Sequence, residues 1–406
     1  MKILIVTQYY YPENFRINDL VNSLCLEGHE VCVLTGIPNY PSGKFFGTWK
    51  LGRVEGKPEI FRVPILPRGS SKGFSLAINY LSFLITAVLS FPWFFGRRFD
   101  ATLSINYSPN SVSIAGLFLS KVVRARHFVW LQDLWPESLI ATGVIREGAV
   151  SRGIRAVLSF VYKRSSTVFV QSMSFSSNLE SMGVKKEAIV FLPNWAEDIF
   201  ESSSVTNPSN AARTARLHKA KGSFVITFAG NIGAAQGLDI LLEAARSLKE
   251  RKVVFLIVGD GRAKRRLQAS VSNAGVDEVI QFLGSFPVEE MPALFESSDA
   301  MLVSLVADKE INRTIPGKVQ SYLRAGTLVI GALDGEGNRV LGEAGQVVGG
   351  ASDGEALYQN IVSVLTMTNS EREAIRQKGR EYYRKHFDRR LVVSRLVNSI
   401  AGSKFI

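Results

Sequence analysis

Apolar and β-branched residues recur along the chain in short runs, each closed by a turn and followed by a segment with helical spacing. Residues 2–8 read as a first strand that breaks at Tyr9-Tyr10-Tyr11-Pro12-Glu13-Asn14. Apolar positions 17, 20, 21 and 24 then predict a helix that ends at Gly28. His29 punctuates the turn into a second strand, 30–36, and the loop from Ile37 to Gly43 is rich in proline and glycine. The alternation predicts further strands at 101–105, 127–132, 167–171 and 188–193, with helices near 109–123, 150–164 and 173–182. It resumes in the second half, with strands 224–229, 253–259, 279–284, 300–305 and 327–332. Helices 238–249, 262–274, 288–297 and 316–325 lie between them, and two or three helices close the chain. Such alternation predicts an α/β fold of parallel sheets covered on both faces. Residues 201–223 are small and polar with no apolar period, the composition of a linker. We therefore expect two Rossmann-like domains, 1–200 and 224–388, facing each other across a cleft. A C-terminal helix in 389–406 is expected to be able to pack back on the first of them.

The stretch from Phe224 to Leu238 carries the first chemical signal. An apolar strand runs into Gly230, Asn231-Ile232-Gly233 follows, and a helical pattern opens at Leu238. A strand that turns through glycines into a helix leaves backbone N–H groups free at the positive end of the helix dipole, where phosphate binds. Glycine lets the ligand approach the backbone, although the same residues also serve a plain tight turn. No G-x-G-x-x-G follows the first strand, which argues against a dehydrogenase.

One tract departs from the alternation. From Phe74 to Phe95 every residue is uncharged, with Lys72 before it and Arg97-Arg98 after it. The length suffices to cross a bilayer, yet Asn79, Pro92 and several hydroxyl residues interrupt it. A buried core helix and a helix lying in the membrane interface remain open beside the span, and membrane contact in some form is expected. The charge balance agrees: 48 Lys and Arg against 36 Asp and Glu give +12, a surplus suited to polyanions or an anionic membrane. The basic residues are scattered, so nucleic acid is not an expected partner. Two cysteines, Cys25 and Cys32, and four scattered histidines make a metal site improbable, and no cofactor is expected. Buried thiols and an N-terminus that reads as a strand rather than a signal peptide point to the cytoplasm.

Asp133 follows the strand 127–132 directly, in Asp133-Leu134-Trp135-Pro136-Glu137-Ser138. A carboxylate at a strand end beside an aromatic suits acid–base work, and equally a helix cap. With Tyr10-Tyr11-Pro12, the Pro38–Gly43 loop, Leu192-Pro193-Asn194-Trp195, the Gly230–Gly237 turn, Gly259-Asp260-Gly261 and Ile315–Tyr322, the chain resembles family 4 GT-B glycosyltransferases over nearly its whole length. Within that family it looks most similar to the O-antigen and capsule N-acetyl-fucosamine (fucosamine or quinovosamine) transferases. The resemblance implies a nucleotide sugar on the second domain and an acceptor on the first, contacted by Asn14, Arg16, Tyr40 and Glu137. It implies donor contacts at Gly230, Asn231, Gly233, Gln236, Lys264, Arg313, Thr314, Lys318, Gln320 and Ser321, with Ser285 and Phe286 at the uracil. Asp133 is then the candidate base, while Lys318 and Arg313 are the cations that stabilise the leaving diphosphate without depending on a metal.

Departures from the family pattern are specific. Counting back from Gly326, the two glutamates usual in the family are replaced by Arg313 and Ser321. The usual arginine and lysine of the first phosphate turn are Asn231 and Gln236. Gln320 or Ser321 is therefore expected to bond the ribose, and retention of anomeric configuration is not asserted. The expected activity is transfer of an N-acetylated amino-deoxy hexose from a UDP-sugar to a polyprenyl-diphosphate-linked glycan at the inner face of the cytoplasmic membrane. A GDP- or dTDP-linked donor, or a non-catalytic nucleotide-sugar-binding partner, stands as the alternative.

Overall fold

A computed structural model of the chain describes residues 1–40, 43–45, 51–54, 56–69, 73–141, 143–200 and 210–402. Pro41, Ser42, Lys72, the first part of the expected linker (201–209) and the last residues of the expected C-terminal helix (403–406) lie outside them. The chain forms two compact units, one of residues 1–193 with 392–406 and one of residues 194–391.

The first unit is built from β1 (Lys2–Val6), α1 (Ile17–Leu26), β2 (Glu30–Gly36), β3 (Gly52–Val54), β4 (Glu59–Val63) and α2 (Gly73–Leu89). It continues through β5 (Ala101–Asn106), α3 (Val112–Val122), β6 (Arg126–Leu131), α4 (Glu137–Ala141), α5 (Ala149–Arg164), β7 (Thr167–Val170), α6 (Ser176–Ser181) and β8 (Ile189–Phe191). The sheet order is β3-β4-β2-β1-β5-β6-β7-β8, parallel except for β3. Central strands are buried on both faces, as a parallel sheet requires: Ile3, Leu4, Ile5 and Val6 are all solvent-free. The short β3–β4 pair was not legible in the pattern, because Arg53, Glu59 and Arg62 break its apolar run.

The second unit comprises α7 (Asn210–Ala220), β9 (Phe224–Ala229), α8 (Ile240–Leu248), β10 (Val253–Val258), α9 (Lys264–Ala274), β11 (Ile280–Gly284) and α10 (Met291–Ser297). There follow β12 (Ala300–Ser304), α11 (Gly317–Ala325), β13 (Leu328–Ala332), α12 (Gly335–Glu343), β14 (Val347–Gly349), α13 (Gly354–Thr366) and α14 (Asn369–His386). The last helix, α15 (Arg389–Ala401), buries Val392, Val393, Leu396 and Ile400, and Arg126 of the first unit donates to the Ile400 carbonyl. The order β11-β10-β9-β12-β13-β14 is all parallel and reverses direction between β9 and β12. In a doubly wound sheet, ligands bind at the carboxyl ends of strands beside such a reversal. Its core includes Phe228, Phe255, Leu241, Leu302 and Ile361, each burial of this size contributing about 1.5–3 kcal/mol.

Two expectations need correction. The linker composition of 201–223 conceals α7, whose alanines at 211, 212 and 215 are buried in the second unit. Arg216 donates to Ser297 Oγ at 3.1 Å and Lys219 pairs with Asp299 at 3.0 Å. Small side chains gave the helix an apolar face that hydropathy did not register, and the division between the units falls at 193/194 rather than in this stretch. Among the described residues, four helices and a strand, not two or three helices, follow β13.

The uncharged tract 74–95 is divided. Helix α2 turns Asn79, Tyr80, Phe83 and Ala87 into the core and stops at Leu89, before a 3₁₀ turn over Phe91–Trp93. Asn79 accepts from Gln8 Nε2 at 2.6 Å, which satisfies its polar atom inside the unit. Among the described residues no helix is long and apolar enough to cross a membrane. Cys32 is buried and its thiol is pushed up to about 12 by desolvation, whereas Cys25 is only half-buried.

Because Ala215 is fully buried, Ala215→Glu is expected to destabilise the second unit by about 2–4 kcal/mol through overpacking and an unpaired charge. Chemical denaturation measures this. A true linker position would respond by less than about 0.5 kcal/mol.

Candidate functional site

In the second unit a cleft of about 480 Å³ opens at the carboxyl ends of β9, β10 and β11. Two βα turns form its floor. Gly230 (φ 140°) and Gly259 (φ 135°) adopt a backbone that L-residues avoid, and a Cβ on Gly259 would lie 1.9 Å from the Gly230 carbonyl oxygen. The turns are then stitched together: Gly230 N–H donates to Val258 O at 2.9 Å and Ile232 N–H to Asp260 O at 2.8 Å.

Helix α11 supplies the cation. Its start at Pro316-Gly317 and the bond of Tyr322 Oη to the Ala229 carbonyl (3.2 Å) bring the first helical turn beside Gly230. Lys318 Nζ lies 4.5 Å from the Phe228 ring centroid and donates to Gln236 Oε1. No carboxylate is within ion-pair reach of it among the described residues. Burial alone lowers its pKa from 10.5 to about 8, since a desolvated ammonium loses hydration that nothing negative replaces. A Cβ on Gly230 would come within 2.7 Å of the lysine stem, so the glycine also makes room for the cation.

The remaining walls differ in character. Ser285 and Phe286, with Val288, Met291 and Phe295, form an apolar end. Glu197 and Ser321 form a polar one, Ser321 Oγ donating to Glu197 Oε2 at 2.7 Å. The cleft thus joins a cation beside a glycine turn, an aromatic wall and a carboxylate.

Of the expected donor contacts, Gly230, Asn231, Ser285, Phe286, Lys318 and Ser321 line the cleft, and Gln236 reaches it through Lys318. Gly233, Lys264, Arg313, Thr314 and Gln320 do not. Lys264 pairs with Asp260 at 3.7 Å, and Arg313 with Glu310, one 3₁₀ turn earlier, at 3.2 Å. Thr314 Oγ1 donates to Ile311 O at 3.0 Å. Gln320 is buried, its side-chain amide beside the carbonyls of Pro316 and Gly317 at its own helix start, whereas Ser321 and Glu197 line the cleft. Sequence reasoning missed Glu197 and Tyr322. Glu197 lies two residues past the Leu192–Trp195 motif, the one signal that pointed near it.

In the first unit the polar residues gather at the carboxyl ends of β1, β2, β5 and β6. Glu13, 3% exposed, accepts from the N–H groups of Asn39 (2.9 Å), Tyr40 (2.8 Å) and Tyr10 (3.3 Å). Burial pushes its carboxyl up, against those bonds. It fixes the loop that carries Tyr40, whose ring packs on Phe15 at 5.0 Å. Asp133 accepts from Leu134 N–H at 2.9 Å and Ser138 Oγ at 3.0 Å, and desolvation raises its pKa above the usual 3.8. Ser108 nearby has φ 114°, a strained backbone of the kind functional sites hold. Asn14 is exposed, Arg16 pairs with Asp19 at 3.8 Å, and Glu137 with Arg155 at 3.3 Å.

Two family models match the chain: "Glycosyl transferase 4-like domain" over residues 14–195 and "Glycosyl transferases group 1" over residues 223–367. The putative colanic acid biosynthesis glycosyl transferase WcaI of Escherichia coli K12 is 27% identical over 99% of this chain and 100% of its own. The probable glycosyltransferase WbjE of Pseudomonas aeruginosa is 24% identical over 71% and 70%. Among solved structures, Anabaena Alr3699/HepE in complex with UDP superposes with a TM-score of 0.70 at 14% identity, covering 99% and 100% of the two chains.

The lowered pKa of Lys318 predicts that a diphosphate seated beside it binds in a pH-dependent way. Its folded pKa of about 8 lies below the ordinary 10.5. The unfolded chain therefore binds the extra proton between those values, and the stability of the free protein rises with pH across that window. A bound diphosphate favours the ammonium, so UDP binding takes up part of a proton near pH 8 and weakens as pH rises further. Calorimetry in buffers of different ionisation enthalpy is expected to show this uptake. Lys318→Met is expected to abolish it and to weaken UDP by at least about tenfold, the loss of one charge-assisted contact.

Proposed function

From the premise that this chain is a group 1 glycosyltransferase, we propose that it moves an N-acetylated amino-deoxy hexose of the fucosamine kind from a UDP-sugar. The acceptor is a polyprenyl-diphosphate-linked glycan at the inner face of the cytoplasmic membrane, in O-antigen or capsule polysaccharide assembly. The carrying observation is the desolvated ammonium of Lys318 beside the Gly230 turn. It supplies an uncompensated positive charge where a glycine turn lets a diphosphate approach the backbone closely. The WcaI and WbjE likenesses support a role in polysaccharide synthesis, and UDP in the HepE structure supports the nucleotide.

In this mechanism the uracil lies toward Ser285 and Phe286, the ribose toward Ser321 and Glu197, and the diphosphate on Gly230, Asn231 and Lys318. As the bond from the anomeric carbon to the β-phosphate oxygen breaks, negative charge grows on that phosphate. Lys318 stabilises it more strongly in the transition state than in the ground state, because the site is desolvated. Asp133, its carboxyl raised by burial, takes the proton of the attacking acceptor hydroxyl.

The membrane contact is assigned to one face of the first unit. Leu81, Ile85 and Leu89 are 54%, 48% and 65% exposed and sit four residues apart on α2. Trp93 and Phe95 continue the apolar surface at 61% and 77% exposure, and Phe91 joins it to Phe118 of α3. Arg98, past the 3₁₀ turn that follows α2, and Lys121 and Arg124, at and just beyond the end of α3, are exposed. An amphipathic helix flanked by cations suits the interface of an anionic bilayer.

A panel of UDP-, GDP- and dTDP-sugars with a short polyprenyl-diphosphate-GlcNAc acceptor, read by mass, tests the reaction. Transfer is expected from a UDP-linked amino-deoxy sugar, and transfer from another nucleotide alone, or none at all, overturns the reading. Asp133→Asn should lower turnover by at least about a hundredfold, the scale of general-base catalysis, with UDP affinity retained.

Leu81→Glu/Ile85→Glu/Trp93→Glu should abolish flotation with anionic vesicles, since several exposed apolar anchors are lost at once. Flotation equal to wild type would remove this face from the membrane.

A further inference from the structure

Arg68 lies between β4 and α2, at the carboxyl end of the first sheet, and no step above uses it. Its guanidinium carbon sits 5.0 Å from the Tyr40 ring centroid and 5.7 Å from that of Tyr9, while Nη1 donates to Tyr9 Oη at 3.0 Å. Its backbone is fixed as well: the N–H donates to Asn39 Oδ1 at 3.3 Å and the carbonyl accepts from Ser75 Oγ at 3.1 Å. Yet Nε is shielded from solvent with no acceptor. No carboxylate lies within ion-pair reach among the described residues. The nearby acids are engaged elsewhere, Glu13 with three backbone N–H groups and Asp133 with Leu134 and Ser138.

A rigidly held, partly desolvated guanidinium with a missing acceptor is costly unless a ligand supplies it. Two tyrosine faces flank it without neutralising it, and a guanidinium fork matches phosphate oxygens in pairs. The position relative to the chemistry is set by contact. Tyr9 meets Tyr80, and Tyr80 meets Ser108 and feels the charge of Asp133. Arg68 is thus joined to the candidate base through two phenols.

We propose that Arg68, flanked by Tyr9 and Tyr40, is the phosphate subsite of the acceptor, holding its diphosphate while the sugar hydroxyl reaches toward Asp133. The proposal rests on the reading of a diphosphate-linked acceptor given above. It assigns that acceptor's charged group to one side chain rather than to the general positive surface.

The test compares wild type, Arg68→Gln and Arg68→Lys on one glycan presented in two ways, as a short polyprenyl diphosphate and as a phosphate-free alkyl glycoside. UDP-induced thermal stabilisation checks that each variant is folded, and Arg68→Lys carries the test if Arg68→Gln is not. Wild type is expected to prefer the diphosphate acceptor by roughly thirtyfold in kcat/KM, the scale of a paired charge-assisted contact. Arg68→Gln should reduce that preference to within about threefold, and Arg68→Lys, which keeps charge but not the fork, should fall between. A full preference retained in the variants overturns the subsite while leaving the acceptor reading intact. No preference in wild type overturns that reading and the subsite with it. Vesicle flotation separates a lipid headgroup from the acceptor: if Arg68→Gln loses binding to anionic vesicles and keeps the substrate preference, the ligand is the headgroup and the proposal fails.

Discussion

The second unit depends on one close approach. Two βα turns meet with Gly259 against the Gly230 carbonyl, at a separation that leaves no space for a side chain on Gly259. Gly230, itself without a Cβ, makes room beside that contact for the stem of Lys318 over Phe228. The Tyr322 hydroxyl, bonded to both the N–H and the carbonyl of Ala229, holds α11 in that register. Floor, cation and helix start are consequently one construction. A change at any of the three would move the other two, because packed interiors respond to the volume of a single methylene.

Charge in this protein is better understood by pairing than by count. The surplus of +12 suggested a positive surface, but many of the cations that drew attention are neutralised beside their own sequence neighbours. Arg313 meets Glu310, Arg16 meets Asp19 and Lys264 meets Asp260, each within four residues. Such exposed or half-exposed pairs contribute little energy, and they leave little net field for a ligand. Lys318 and Arg68 differ, since both are held against aromatic rings with neutral partners. The strength of a phosphate site follows from this absence of compensation in a low dielectric, not from the number of basic residues near it.

That distinction also marks how far the sequence could be read. Period and turn chemistry made the two sheets legible, together with the glycine turn at Gly230 and the position of Asp133 past β6. These are local facts, visible in a window of a dozen residues. Helix α7 was hidden because its buried face is alanine, which hydropathy scarcely separates from a linker. Gln320 and Ser321 are adjacent in sequence, yet a helix turns neighbours by about 100°, so one faces the core and the other the cleft. Glu197 was beyond reach for a different reason: it meets Ser321 across 124 residues, and no local pattern encodes such a contact.

The pair Glu197–Ser321 also bears on the missing family glutamates. A carboxylate beside a diphosphate site is repulsive unless it is kept for a neutral donor, and a ribose diol is such a donor. Ser321 occupies a position where the family usually has an acid, and its hydroxyl is too short to replace a carboxylate across the cleft. By donating to Glu197 it orients a carboxylate supplied from the segment before β9 instead. A carboxylate is thus present in the cleft beside Ser321, while α11 carries a cation at its first turn. The same exchange does not restore the other glutamate, since Arg313 is bound to Glu310 away from the cleft lining. Whatever charge the sugar meets near its anomeric carbon must then come from residues other than that pair, and the stereochemical course follows from those residues rather than from the family's usual constellation.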